Sequence, residues 1–78
     1  MKEHDLVAIA HDIPHAGLQR DDVGTIVHVH ADGAGIEAEF VSASGQTLAV
    51  LTLASSEYRL LKGDEILHAR KMSAPRTP

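Results

Sequence analysis

The chain has no cysteine and no tryptophan, and its only aromatic carbocycles are Phe40 and Tyr58. Without cysteine there is no disulfide to stiffen the fold and no thiolate to bind a metal, which fits a reducing cytoplasm as the expected location. Without aromatic platforms a single-strand nucleic-acid binder loses its stacking surface. Basic residues are also scarce: seven Lys and Arg stand against eleven Asp and Glu, for a net charge of −4 with the histidines neutral. Nucleic acid is therefore disfavoured as a partner. No stretch approaches the roughly 18–20 apolar residues that a membrane span requires. Met1-Lys2-Glu3-His4-Asp5 lacks the apolar run of a signal peptide, so no membrane partner is expected.

What is present is aliphatic. Val, Ile, Leu and Ala supply nearly all of the 44% hydrophobic residues, in a chain of 78. That length allows one domain, which buries only about 60% of the surface of its unfolded chain. The domain is expected to span 1–71, followed by a flexible tail, 72–78, of which 73–78 hold two prolines and no large apolar residue.

Short β-branched runs at close intervals predict an all-β fold. Strands are expected at 5–10, 23–30, 36–41, 47–53 and 58–61. The third has the cleanest alternation: Ile36, Ala38 and Phe40 share one face, and Glu37 and Glu39 share the other. The fourth, Thr-Leu-Ala-Val-Leu-Thr-Leu, is almost continuously apolar and reads as buried on more than one side. The segment 11–22, with Pro14, Gly17 and three acidic residues, reads as an extended loop. Residues 31–35 and 42–46 are turns, and 54–57 is a short helical turn that Ser55 or Ser56 would cap. After a turn at 62–64, residues 65–70 form a last short strand or a helical turn. Five strands, a long first loop and a helical turn before the last strand make the order of a small SH3-like barrel. Gly24 sits where the second strand of such a barrel bends sharply.

Several blocks match a known family. Ile13-Pro14-His15-Ala16-Gly17-Leu18, Asp22-Val23-Gly24-Thr25-Ile26-Val27-His28-Val29, Ala38-Glu39-Phe40-Val41 and Gln46-Thr47-Leu48-Ala49-Val50-Leu51-Thr52-Leu53 occur in order and at matching spacing. Over about residues 4–70 the chain resembles the small bacterial proteins grouped as domain of unknown function 4926. The resemblance implies an SH3-type barrel and carries over no catalytic residue. Through Gly24-Thr25-Ile26-Val27-His28-Val29-His30 the chain is also similar, over a shorter stretch, to the β-subunit barrel of nitrile hydratases. The strand–glycine–strand pattern resembles ribosomal and transcription-factor barrels too. There it lies among basic residues, whereas here Ala31-Asp32-Gly33 follows it, so no RNA binding is carried over.

Six histidines (His4, His11, His15, His28, His30 and His68) raise the question of a metal. His28 and His30, two apart on a strand, would point to one face, with Glu37 or Glu39 of the neighbouring strand as a further ligand. A His-X-His pair on a wet strand face is common without metal, so a metal is disfavoured and no cofactor is expected. The histidines have a second consequence. Unperturbed imidazoles titrate at about pH 6.5, and protonating all six would carry the net charge from −4 to +2.

No enzymatic site is legible. Asp21 and Asp22 are adjacent in a loop and splay apart, so they form no acid–base pair. The serines lack a glycine elbow and a base, and Gly33-Ala34-Gly35 precedes a strand rather than a helix. The sequence therefore predicts a non-catalytic module that binds protein, either itself or a larger bacterial protein. Its acidic charge suits an accessory or neutralising partner, of the antitoxin or immunity type, for a basic protein. The expected groove is flanked by the first loop and the helical turn and formed by His15, Leu18, Arg20, Asp21, Ser55, Glu57 and Tyr58. The alternative is an accessory subunit of a metalloenzyme, and nucleic-acid binding is a third reading.

Overall fold

The computed structural model describes residues 2–72; of the expected tail, 72–78, all but Met72 lies outside the described residues. Five strands, β1 (Leu6–Ile9), β2 (Val23–Val29), β3 (Gly35–Val41), β4 (Thr47–Ala54) and β5 (Tyr58–Leu60), form one antiparallel sheet in the order β4-β3-β2-β1-β5. Single 3₁₀ turns occur at Pro14–Ala16 and Ser55–Glu57. The all-β architecture and the short helical turn before the last strand are as the sequence predicts.

One hydrophobic cluster holds the molecule together. Val7 and Ile9 of β1, Ile26 of β2, Ile36, Ala38 and Phe40 of β3, and Leu53 of β4 meet Ile13 and Leu18 of the first loop. No helical layer covers the sheet among the described residues. A single sheet encloses such a cluster by curling on itself. Burying each large aliphatic side chain contributes about 1.5–3 kcal/mol.

The alternation expected in β3 is observed: Ile36, Ala38 and Phe40 are buried, while Glu37 and Glu39 turn outward. β2 is less regular. Ile26 pairs with Ala38 but His28 pairs with Glu37, so Val27 is an extra residue in a β-bulge. The bulge re-phases the strand. Ile26 and Val29 both pack on the core, while His28 and His30 fall on the outer side.

Gly24 is explained by packing rather than by the bend expected there. A Cβ there would stand 2.7 Å from Cε2 of Phe40, so glycine is required for the close approach of the phenyl ring. The register break lies three residues further on, at Val27.

Four other expectations are corrected. The first loop is not simply extended: Pro14 starts a 3₁₀ turn, Gly17 ends it with φ +72°, and Ile13 bridges Leu18 across it. That bridge turns Ile13 and Leu18 into the core. β4 is mostly exposed rather than buried on two sides. Only Leu53 is fully buried and Val50 is 53% exposed, because β4 lies at the end of the sheet with no strand beyond it. Neither Ser55 nor Ser56 caps the second turn. Ala54 occupies the cap position, and the Glu57 carboxylate accepts its N–H at 2.8 Å. Residues 65–70 form neither strand nor helix, since side chains rather than a ladder hold this segment to the sheet.

Candidate functional site: an apolar groove beside an open strand

The first loop and β4 enclose a shallow groove of about 210 Å³. Ile13, Pro14, Leu51 and Leu53 supply its apolar floor, and His11, Asp12, His15, Thr52 and Glu57 its rim. The local sequence builds both walls. The 3₁₀ turn started by Pro14 folds the loop back toward β4, and the Ser55–Glu57 turn ends β4 and places Glu57 opposite His11.

The rim brings His11 and Glu57 together. His11 Nδ1 lies 2.9 Å from the Asp12 carbonyl oxygen, which only accepts, so Nδ1 carries a proton. Nε2, 3.5 Å from Glu57 Oε2, then bears a proton only when the ring is an imidazolium. The His11–Glu57 contact is an ion pair in that state alone.

The groove overlaps the predicted site in part. His15 and Glu57 line it as expected. Leu18 is a core residue, 3% exposed, because the Ile13–Leu18 bridge points it inward. The backbone N–H of Arg20 donates to Asp12 Oδ1 at 2.8 Å, behind the groove. Asp21, at φ +74°, faces Arg59 at 3.7 Å and so joins β5 instead. Ser55 is exposed on the short turn, and Tyr58 packs against the core. The residues missed are His11, Asp12, Ile13 and Pro14 of the first loop and Leu51, Thr52 and Leu53 of β4. The available signal was β4 itself, a strand with no charged residue from Thr47 to Ala54.

The proposed metal residues come together incompletely. The rings of His28 and His30 lie 5.5 Å apart, and His30 Nε2 is 3.6 Å from Glu37 Oε2. Glu39 is engaged elsewhere, accepting from Thr47 Oγ1 at 2.6 Å. Among the described residues, no set of three His, Cys, Asp or Glu side chains is arranged to hold a metal ion.

A second hollow, of about 450 Å³, separates the sheet from the segment 68–72. It is the seam beneath the protein's own C-terminal strap. Arg70 fastens that strap, with Nε and Nη2 donating to Asp22 Oδ1 and Oδ2 at 2.9 and 2.5 Å and Nη2 also reaching the Gly17 carbonyl at 3.2 Å. Partial burial pushes the Asp22 carboxyl up. The hydrogen bond from Arg70, the Gln19 N–H and the Arg70 charge together outweigh this and hold it below its usual value. The same hydrogen bond raises Arg70. A second pair, Arg59 with Glu65, ties the start of the strap to β5 through two hydrogen bonds of 2.7 and 2.9 Å.

Fold and site together define a small all-β domain: one curled antiparallel sheet with a charge-free edge strand and an apolar groove beside it. The chain belongs to the family described as Domain of unknown function (DUF4926), whose model matches residues 3–63. The match ends before Arg70, so the Arg70 fastening lies outside it. No curated protein and no solved structure matches the chain. No helix among the described residues is long and apolar enough to cross a membrane.

Proposed function

We propose that this protein is a non-catalytic protein-binding module, the accessory or regulatory partner of a larger protein. The carrying observation is the apolar groove of Ile13, Pro14, Leu51 and Leu53 beside the uncharged strand β4. An extended segment laid against such an edge satisfies its backbone on β4 and its side chains in the groove. The net charge of −4 favours encounter with a basic partner.

Capture from the native cell with tagged protein tests this reading, with Thr52→Arg as the comparison. Thr52 is exposed on the groove rim, so arginine there obstructs the groove without entering the core. A defined protein retained by the wild type and lost with Thr52→Arg is expected. If no retained protein distinguishes the two, the reading fails.

A further inference from the structure

The acceptors that hold Arg70 are set in place without the strap. Gly17 is locked at φ +72° and ψ 19° by the 3₁₀ turn it ends, and its N–H donates to the Pro14 carbonyl at 3.0 Å. Asp22 is fixed on three sides. Its N–H donates to the Gln19 carbonyl at 2.9 Å, its carbonyl accepts the Ile9 N–H at 3.1 Å, and its Oδ2 accepts the Gln19 N–H at 2.7 Å. Two carboxylate oxygens and one carbonyl oxygen therefore converge on the guanidinium of Arg70 from a frame made by β1 and the first loop.

The strap, residues 64–72, fits its seat less well. Among the described residues, the last backbone hydrogen bond from this end of the chain to the sheet runs from the Leu61 N–H to the Leu6 carbonyl at 3.1 Å. The hollow of about 450 Å³ stays open between the strap and Leu18, Val23, Phe40 and Leu48. Ile66 and Leu67 are 91% and 61% exposed, so the strap turns its aliphatic pair to solvent instead of into that space. Met72 alone of its large apolar side chains lines the hollow. Gly17, Asp22 and all the sheet residues around the hollow lie within the family match of 3–63, whereas Arg70 and Met72 lie beyond it.

We infer that Gly17 and Asp22 form an arginine-binding site in which Arg70 sits as the chain's own internal ligand, and that an arginine-bearing segment of a partner protein displaces it. The receptor belongs to the family's domain and the present ligand is an appendage. A segment that brings an arginine and also fills the hollow gains apolar burial that the strap forgoes. Arg70 and Met72 give the pattern of such a segment: an arginine with an apolar side chain two residues further on. The Arg59–Glu65 pair keeps the start of the strap tethered, so displacement is reversible. This site shares no lining residue with the groove beside β4 and does not rest on the reading of that groove.

The probe is a peptide of residues 67–72, Leu-His-Ala-Arg-Lys-Met, added to isotope-labelled full-length protein and followed by amide chemical shifts. In Arg70→Ala the site is vacant, and the peptide is expected to shift the Leu18, Asp22 and Val23 amides saturably. A ligand on a short tether acts at a millimolar effective concentration, so in the wild type the midpoint should rise about tenfold or more. Arg70→Lys, which keeps the charge but loses the planar fork, should fall between the two. The peptide carrying Arg70→Lys should bind Arg70→Ala protein about tenfold more weakly. Protein combining Asp22→Asn with Arg70→Ala should bind no peptide. Dispersed amide spectra establish that each variant is folded, and if Arg70→Ala is not, Arg70→Lys carries the comparison with the wild type. Absence of saturable shifts in both arginine variants overturns the site. Equal midpoints in wild type and variants, equal binding of the lysine peptide, or shifts confined to Leu51 and Leu53 do so as well. Capture lost with Thr52→Arg is untouched by any of these results, so the two sites fail separately.

Discussion

A methyl group on Gly24 would meet the Phe40 ring at 2.7–3.0 Å, closer than packed carbons approach. Phe40 is the largest of the fully buried side chains, with Ile9, Ile26 and Ile36 in the same cluster, so its ring has little room to move aside. Gly24→Ala is expected to destabilise the fold by about 1–3 kcal/mol, the range for overpacking a closed core. Urea denaturation measures this loss. The same substitution combined with Phe40→Leu should cost less than the sum of the two single changes, because the smaller side chain vacates the contested space. Simple addition of the two would show that the clash is not the cause.

The C-terminal strap shows how two side chains can replace a ladder. Asp22 and Arg70 are 48 positions apart, yet their double hydrogen bond brings the segment after β5 back against the start of β2. The Asp22 carboxyl is depressed in the folded state. Its stabilising contribution is therefore complete above the ordinary aspartate range and is lost as pH falls through the folded value. Arg70→Ala removes the first and third of the groups that hold the carboxyl down. The expected outcome is that Arg70→Ala is less stable than the wild type near neutral pH and that the gap narrows as pH falls through the folded Asp22 value, so the variant has the shallower acid limb, together with faster limited proteolysis within 61–72. Thermal melts between about pH 2 and pH 7 check the first part. An unchanged acid limb would remove Asp22 from the account. In an Asp22→Asn background the effect of Arg70→Ala should no longer depend on pH over this range.

For the whole molecule, charge and edge act together. The −4 balance would favour approach of the proposed basic partner, while β4 itself carries no charge. Protonating all six histidines would carry the net charge from −4 to +2. Retention of a basic partner is accordingly expected to weaken from about pH 8 to about pH 5.5, and to weaken with salt at the higher pH. Retention that is constant across both series would show that the partner is held by apolar contact alone.

Local pattern was enough to determine that the chain is all-β, where β3 turns its faces and where the loops fall, because alternation and turn chemistry are properties of neighbouring residues. His15 and Glu57 were legible as groove residues for the same reason, since each sits on a recognisable connection. Strand order decided the rest. The apolar text of β4 describes a strand able to pack on both faces, but its place at the end of the ladder leaves it exposed. Leu18 reads as a loop leucine until the bridge to Ile13 turns it into the core. The bulge at Val27, the space that Phe40 claims at Gly24 and the clasp between Asp22 and Arg70 each depend on a residue far along the chain. Periodicity reports which face of a strand is apolar. Which strand stands beside it, and what lies across the core, is set only when the strands assemble into the curled sheet.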